Sequence, residues 1–320
     1  MNRLLNIFIL LLAVTIILIG CGNDSDGDDK NDMETKIATI ATGGASGPYN
    51  VIGTTLAEIY SENLGINSKT QTTGASVENL NLMDEEKIEM AIVMSDALTQ
   101  AIEGTVHFDE PIENVKQIAS LYPNIVQVVT TEDTGIETLN DLKGKRVAVG
   151  DQNSGVEVNA KTLLEGHGLT YDDMEVDFLG YEEAADEIRS GNIDAAFLTS
   201  GLPNSSVLEL AKSVDLKMVT IEEEKVEEIS QENDYFVKGE IPEGMYDNEE
   251  PIETAGIINA LVVRSDLSEN DVYHLTKEFF DNLDELENAH QAAEDINIDD
   301  AQQSMIAPIH PGAERYYEEQ

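Results

Sequence analysis

The sequence predicts an α/β protein whose body forms two lobes, each a parallel sheet covered by helices. Between residues 36 and 221, segments with strand-like patterns alternate with segments whose apolar residues have helical spacing. Alternation of this kind builds parallel sheets with helices on their faces. The series occurs twice, once before and once after the stretch 113–131, which indicates two lobes. In both series, the turns that lead from strand to helix are rich in Gly, Ser and Thr.

The first series begins with Lys36–Thr42, where apolar residues alternate as in a strand. A helix is expected at 49–63, because Ile52, Leu56 and Ile59 recur at helical spacing. The remaining segments are a strand at Ile66–Thr72, a helix capped by Ser76 and ending near Glu86, a buried strand at Ile88–Met94, and two apolar stretches within Glu113–Thr131 separated at Tyr122-Pro123-Asn124.

The second series follows the string TLNDLKGKRVAVG at 138–150. Its strands are expected at Val147–Gly150, Glu175–Leu179, Ile193–Leu198 and Lys217–Ile221, and its helices near 156–166, 181–190 and 204–212. A late apolar strand at Thr254–Arg264 and two helices, at 268–287 and 288–303, complete the chain.

Residues 1–20 have the organisation of an export signal. Arg3 precedes an apolar run that is marginal for a hydrocarbon core of ~30 Å at ~1.5 Å per helical residue. The letters LIGC at 18–21 resemble a bacterial lipobox, in which the cysteine is lipidated and becomes the mature N-terminus. Cys21 is the only cysteine, so no internal disulfide can form. We predict a signal peptide at 1–20 and a lipid anchor on Cys21; an uncleaved signal anchor is the alternative.

The chain is strongly acidic, with 64 Asp and Glu against 18 Lys and Arg and a formal net charge of −46. A surface of this sign repels nucleic-acid phosphates, which argues against a nucleic-acid partner. A hydrophobic fraction of 41% in regular blocks argues against disorder of the body. Residues 21–35 are acidic and nearly free of apolar residues, which predicts an extended tether. The acidity indicates a salty or alkaline outside medium; a surface made to bind cations or basic partners is the alternative.

Four turns that lead from a strand into a helix are rich in small and hydroxyl residues. They lie at 42–49, 72–76, 150–155 and 199–204, two in each lobe. Small residues let the backbone approach a ligand, and a helix N-terminus presents unpaired N–H groups with a positive partial charge. Ligands of open α/β sheets bind beyond the carboxyl ends of the strands. The turns therefore predict a cleft that neutralises a carboxylate through helix N-termini rather than through the scarce arginines.

Several strings recur in an order typical of one family. They are ATGGASGPYNVIG, TTGASVENL, AIVMSDALTQAIEG, LYPNIVQVV, TLNDLKGKRVAVG, GDQNSGVEVNA, IDAAFLTSGLPN and IHPGAERYYEE. Over roughly residues 36–320 the chain resembles the TAXI type of substrate-binding protein, which serves tripartite ATP-independent periplasmic (TRAP) transporters. The sequence departs from that family at Pro48 and Asn50, where Thr or Tyr and another aromatic residue are usual. The departure puts a ring contact in the cleft in question.

The resemblance implies a two-lobed type II periplasmic-binding-protein architecture with a ligand cleft between the lobes. Lobe 1 would comprise 36–122 and 255–320, and lobe 2 would comprise 123–254, with hinges at the two crossings. It implies a monomeric, extracytoplasmic, membrane-anchored protein without enzyme activity, cofactor or metal. Such a protein would capture a small organic acid or amino acid, such as a glutamate-like carboxylate, and deliver it to the subunits of an ion-gradient-driven TRAP permease.

The ligand is expected to contact hydroxyls, amides and rings at the strand-to-helix turns. Tyr49 and Tyr122 would pack on it, although core packing is the other interpretation for both rings. Asp96 would either bind a ligand amine or cap the helix that begins there. The expected ligand-binding residues are Ser46, Gly47, Tyr49, Gly74, Ala75, Ser76, Ser95, Tyr122, Asn153, Ser154, Gly155, Thr199 and Gly201.

Other functions stay open at the level of sequence. An enzyme is disfavoured because Ser46 does not lie in a G-x-S-x-G motif, the five histidines are scattered, and the body has no cysteine for a metal site. The binding protein of an ABC importer and a sensor that presents its ligand to a receptor kinase are the alternatives. An adjacent ATPase gene would indicate the importer, and the lack of a large permease gene would indicate the sensor.

Replacing the lipobox cysteine tests the predicted anchor. Cys21→Ser should release the protein from membranes or leave it unprocessed, because the thiol is the atom that would accept the lipid. Membrane fractionation and mass spectrometry of the N-terminus measure both effects, and Ser25→Ala in the tether should stay anchored. A lipid-modified Cys21→Ser product would contradict the prediction.

Overall fold

The computed structural model describes residues 33–233 and 235–320, and in these residues the predicted α/β class is confirmed. The predicted signal peptide, Cys21 and most of the tether lie outside this part of the chain. The strands are β1 (Ile37–Ala41), β2 (Asn67–Gln71), β3 (Met90–Met94), β4 (Val115–Thr131), β5 (Arg146–Ala148), β6 (Glu175–Asp177), β7 (Ala195–Ser200), β8 (Leu216–Val219), β9 (Phe236–Ile241) and β10 (Ile252–Arg264).

Helices cover the sheet and follow most strands directly. They are α1 (Pro48–Leu64), α2 (Ser76–Asp84), α3 (Ser95–Glu103), α4 (Gly155–Gly166), α5 (Tyr181–Arg189), α6 (Ser205–Ala211), α7 (Glu223–Ser230), α8 (Glu269–Asp281), α9 (Leu283–Ala289) and α10 (Pro311–Glu318). Short 3₁₀ helices occur at Glu132–Thr134, Leu139–Leu142, Tyr171–Asp173 and Gln291–Asp295.

Two parallel groups of strands lie in one sheet of order β2-β1-β3-β10-β4-β7-β5-β6. In the first group β1 pairs in parallel with β2 and β3, and in the second β5 pairs in parallel with β6 and β7. We refer to them as the β1–β3 half and the β5–β7 half. Because each half is parallel, the carboxyl ends of its strands, and the helix N-termini that follow them, lie at one edge.

The long antiparallel strands β4 and β10 join the two halves. β4 has 17 residues and pairs with β10 along its first part and with β7 and β8 along its last part. β10 has 13 residues and pairs with β3 as well as with β4 and β9. β10 therefore adjoins the β1–β3 half, β4 adjoins the β5–β7 half, and the pairing of β4 with β10 joins the two halves into one sheet.

The expected break at Tyr122-Pro123-Asn124 is wrong, because β4 runs through these residues. The register shifts there instead: Ile258 pairs with Pro123, whereas Ala260 pairs with Ser120, which leaves an extra residue on β4. Proline has no N–H for a ladder bond and is tolerated in strands at such irregularities. The sequence signal was real, but it marks a shift in register rather than a loop.

The C-terminal helices also differ from expectation. The predicted helix at 268–287 is divided at Asn282, whose backbone (φ −121°, ψ 28°) leaves the helical region. Most of 288–303 forms a 3₁₀ helix and turns, and a further helix, α10, begins at Pro311. α7 and β9 were not predicted, because the run of glutamates at 222–228 obscures the apolar face formed by Val226 and Ile229.

The core of the β1–β3 half lies between α1 and the C-terminal helices. Tyr60 of α1 is fully buried, and its hydroxyl donates a hydrogen bond to the Leu275 carbonyl of α8 at 3.0 Å. α10 packs closely on α8 because Gly312 has no side chain. A Cβ at Gly312 would lie 2.6 Å from the Tyr273 amide nitrogen and would also meet the Glu269 carbonyl.

Adding a methyl group at Gly312 tests this contact. Gly312→Ala should lower the free energy of unfolding by about 1–3 kcal/mol, because the obstructing atoms belong to the backbone of α8 and cannot rotate away. Urea unfolding measures the change. Glu318→Ala, at an exposed position of the same helix, should stay within about 0.5 kcal/mol of the wild type. Equal stability of the two variants would contradict the contact.

Candidate functional site

A cavity lies beyond the carboxyl ends of the strands, between the two halves of the sheet, with about 540 Å³ of empty space when the open solvent at its mouth is included. Its wall includes residues from both halves and from β4. The lining residues are Gly43, Gly44, Gly47, Pro48, Tyr49, Thr73, Gly74, Ala75, Met94, Asn124, Asp151, Ser154, Val156, Gly180, Tyr181 and Ser200. This is the place where open α/β sheets bind ligands.

Five helix N-termini converge on this cavity. The N-cap residues of α1, α2, α3, α4 and α5 all line it, and they are Gly47, Ala75, Met94, Ser154 and Gly180. The first N–H groups of a helix have no intrahelical acceptor and carry a positive partial charge. Among the described residues that line the cavity there is no Lys, Arg or His, and Asp151 is the only carboxylate. The positive potential of the wall therefore comes from the backbone.

Two of the turns hold residues in the left-handed region of the backbone. Ala75 has φ 78° and Asn153 has φ 64°, conformations that side chains other than Gly rarely adopt. The Asn153 carbonyl accepts a hydrogen bond from the Glu78 amide of α2 at 3.2 Å. This bond joins the turn before α4 to the first turn of α2, across the two halves.

A chain of hydrogen bonds runs behind the cavity wall. Tyr49 donates its hydroxyl hydrogen to Asn259 Oδ1 at 2.5 Å and accepts from Asn124 Nδ2 at 3.3 Å. Asn259 Nδ2 in turn donates to the Tyr122 carbonyl at 2.8 Å. Burial raises the pKa of the Tyr49 hydroxyl well above its usual value, and the nearby Tyr122, Tyr181 and Asp96 add to this effect. Tyr49 therefore remains a donor.

Tyr181 is an aromatic wall residue that the sequence did not reveal. Its hydroxyl donates to the Thr199 carbonyl at 2.5 Å, and burial raises its pKa. It lies at the start of α5, after the turn at Gly180, which lacks the Ser and Thr residues of the four expected turns. Tyr49 and Tyr181 supply rings to the cavity, while Asn50, one of the two departures from the family, bonds Thr72 instead at 3.2 Å.

Five of the expected ligand-binding residues line the cavity: Gly47, Tyr49, Gly74, Ala75 and Ser154. Ser46 lies beside it, and its carbonyl accepts from the Ser205 hydroxyl at 2.9 Å. The Asn153 side chain is exposed to solvent.

Two expected hydroxyls have protein partners instead of facing the cavity. Ser76 does not cap α2, whose N-cap is Ala75; its Oγ accepts from the Met94 amide at 3.0 Å. The Ser95 hydroxyl donates to the Ile258 carbonyl at 2.7 Å. Both residues are almost fully buried behind the wall.

The other expected residues pack behind the wall too. Thr199 donates its hydroxyl to Asn159 Oδ1 at 2.8 Å. A Cβ at Gly155 would lie 2.9 Å from Met94 Sδ, and one at Gly201 would lie 2.9 Å from the Tyr122 ring, so both glycines permit close packing. Tyr122 is fully buried. The wall residues that were not expected are Gly43, Gly44, Pro48, Thr73, Met94, Asn124, Asp151, Val156, Gly180, Tyr181 and Ser200.

Asp96 is buried beside the cavity but does not line it. Its Oδ1 accepts from the amide of the next residue, Ala97, at 2.7 Å. The predicted cap is wrong, because the N-cap of α3 is Met94 and has no side-chain cap hydrogen bond. Burial raises the pKa of this carboxyl to about 7.

Residues 33–233 and 235–320 contain neither a cluster of metal-ligating side chains nor a helix suited to a bilayer. No cluster of three or more His, Cys, Asp or Glu side chains is placed to hold a metal ion there. In the same part of the chain, every helix falls short of the length and apolarity needed to cross a bilayer.

Comparison with known proteins gives a family and a fold. Residues 40–320 match the NMT1-like family. The structure is similar to that of a protein from Bordetella bronchiseptica RB50, with TM-score 0.56, 18% identity and coverage of 82% of this chain and 78% of that one. It is also similar to the structure of PhnD1 from Prochlorococcus marinus MIT 9301 in complex with methylphosphonate. There the TM-score is 0.55 and the sequence identity 14%, with coverage of 81% of this chain and 90% of that one.

A third similar structure is the binding protein component of an ABC phosphonate transporter from Pseudomonas aeruginosa, with TM-score 0.51, 12% identity and coverage of 81% and 79%. At these identities the likeness shows the fold, and it confirms the two-lobed periplasmic-binding-protein architecture. The family match spans nearly all of the described residues, so the chain belongs to the NMT1-like family.

Proposed function

We propose that the protein is an extracytoplasmic solute-binding protein that captures a small acid in the cleft between its two halves. The observation that carries the proposal is the convergence of five helix N-termini on a cavity whose described wall has no basic side chain. A helix N-terminus stabilises a nearby anion by about 0.3–1 kcal/mol at an exposed site and up to ~2 kcal/mol when partly buried. Several such termini around one ligand suit a carboxylate or a related anion.

The proposed lobes are 36–122 with 255–320, and 123–254, with hinges in β4 and β10. Closure would be supported by contacts that already link the halves. They include the Asn153 carbonyl with the Glu78 amide, the Ser205 hydroxyl with the Ser46 carbonyl, and the pair His107–Glu157, whose Nε2 and Oε2 lie 3.0 Å apart. These contacts are short and polar, so they can exchange with water when the cleft opens.

Delivery to a membrane permease completes the proposal, and two classes of permease have support. The names of two similar structures favour an ABC importer. One is the binding protein of an ABC phosphonate transporter, and the other, PhnD1, is in complex with methylphosphonate. The ordered motifs of the sequence favour a TRAP permease of the TAXI type. Uptake of a labelled ligand into cells distinguishes the two: collapse of the ion gradient stops TRAP transport, whereas depletion of ATP stops ABC transport. Ligand binding without uptake would instead favour the sensor.

We also propose that the protein works as a monomer held at the outer face of the cell membrane by a lipid on Cys21, without cofactor or enzyme activity. The anchor would keep the cleft near the permease, and the acidic residues at 21–35 would act as the spacer.

A ligand screen tests the central proposal. A bound ligand stabilises the folded state by RT ln(1 + [L]/Kd), so the purified protein should melt about 5 °C or more higher with a small carboxylate, amino acid or phosphonate at ~100 times Kd. Affinity for an anion should rise with moderate salt, because salt screens the repulsion by the acidic surface. Absence of any shift across the panel would contradict ligand capture.

Filling the cavity tests its position. A Cβ at Gly44 would meet no atom within 4 Å, so Gly44→Leu should fold like the wild type while its side chain occupies ligand space. We expect at least a tenfold loss of affinity by calorimetry, with a melting temperature in the absence of ligand within ~2 °C of the wild type. Glu249→Leu, at a remote exposed position, is the matched control. Unchanged affinity in Gly44→Leu would place the ligand elsewhere.

A further inference from the structure

We propose that Asn124 and Asp151 recognise a protonated primary amine, so that the ligand is a small zwitterion carrying an amine beside its acid group. This inference rests on the proposed function and decides between ligand classes which that function leaves open: amino acids and other amino-bearing acids on one side, and plain carboxylates or phosphonates on the other.

The hydrogen-bond chain behind the wall has one possible direction. The Tyr122 carbonyl can only accept, so Asn259 must present its Nδ2 to it and its Oδ1 to Tyr49. The Tyr49 hydroxyl must then donate to Asn259 and can only accept from Asn124. Asn124 therefore turns its Nδ2 to Tyr49, and its Oδ1 is the acceptor left over. A backbone carbonyl thus fixes the polarity of a side chain at the cavity wall.

The Asn124 Oδ1 atom needs a donor. Asn124 lines the cavity and is 1% exposed, and its Oδ1 has no hydrogen-bond partner among the described residues. Buried acceptors are nearly always satisfied, and an unsatisfied one is costly. A carboxylate or phosphonate oxygen cannot satisfy this atom, because both would be acceptors. An N–H group of a ligand can.

Asp151 supplies the charge that an ammonium group requires. Its Oδ1 accepts from the Gln152 amide at 2.8 Å. Its Oδ2 would lie 3.9 Å from a Cβ added at Gly74, and 3.9 Å from one added at Gly180. The second oxygen therefore faces the gap between the two halves. The other carboxylate close to Gly74 is Glu78, whose Oε2 already accepts from the Gly74 amide at 2.6 Å.

A cavity with both signs of charge suits a ligand with both signs. The five helix N-termini favour an anionic group, whereas Asp151 repels one. A ligand that carries an ammonium group next to its acid group satisfies the N-termini, the Asp151 carboxylate and the Asn124 acceptor together. A quaternary ammonium has no N–H to donate, so a betaine would leave Asn124 unsatisfied.

Matched pairs of ligands test the inference by calorimetry on the purified protein. The pairs are L-alanine with lactate, L-glutamate with 2-oxoglutarate, 2-aminoethylphosphonate with methylphosphonate, and glycine with glycine betaine. In every pair that binds, the member with the primary amine should bind at least tenfold more tightly. The third pair shows whether the acid group of the ligand is a phosphonate: tightest binding of 2-aminoethylphosphonate would indicate an amino phosphonate, and tightest binding of an amino acid would indicate an amino carboxylate.

Asp151→Asn should reduce affinity for the amine-bearing member at least tenfold and should leave or improve affinity for its partner without the amine. Asp151 is exposed, so the variant should fold normally, and Asp109→Asn, also exposed, should change neither affinity. Tighter binding of the members without an amine, or an unchanged affinity ratio in Asp151→Asn, would overturn the inference while leaving ligand capture intact. Lack of binding by every member would overturn the proposed function and this inference with it.

Discussion

The pairing of β4 with β10 is the interaction on which the rest of the structure depends. β10 pairs with β3 of one parallel half, β4 pairs with β7 of the other, and the two strands pair with each other. Their antiparallel pairing sets the two halves side by side, so that the helices following β1, β3 and β5 all begin at one cavity. The shift in register at Pro123 then places Asn124 in the cavity wall and Asn259 directly behind it. The irregular stretch of the β4–β10 pair therefore contributes residues to the site.

Much of this could be predicted from sequence, because local signals determine it. Strand and helix patterns predicted the order of β1 to β3 and α1 to α3, and small residues before helices marked four turns, each of which contributes at least one residue to the cavity wall. The other wall residues depend on geometry that sequence does not encode locally. Ser76 and Ser95 are of the right type and in the right turns, yet their hydroxyls bond to the backbone behind the wall. Asn124 belongs to a strand, and its orientation follows from a register that only the partner strand defines.

The acidic composition and the cavity obey different constraints. Carboxylates lie both on helix faces and in the connecting segments, and several basic residues form exposed ion pairs, such as Lys238 with Glu223 at 2.8 Å and with Glu227 at 2.7 Å. Exposed pairs of this kind contribute little to stability, about 0–1 kcal/mol each, and weaken as salt rises. The stability of the fold rests instead on apolar packing, including the Tyr60 and Phe279 side chains, which are 0% and 1% exposed.

The absence of basic side chains from the described cavity wall has a consequence for the conditions in which the protein can work. A lysine loses its positive charge as the medium approaches its pKa, and an anion site built on lysine then loses its attraction. The partial charges of the helix N-termini belong to peptide groups, which neither gain nor lose a proton at any pH at which a protein stays folded. Burial also raises the pKa of the Tyr49 and Tyr181 hydroxyls, so the rings of the wall stay neutral in base. The partial charges of the helix N-termini and the neutral rings should therefore persist in alkaline surroundings, whereas the Asp96 carboxyl beside the cavity, with a pKa of about 7, ionises as the medium becomes alkaline.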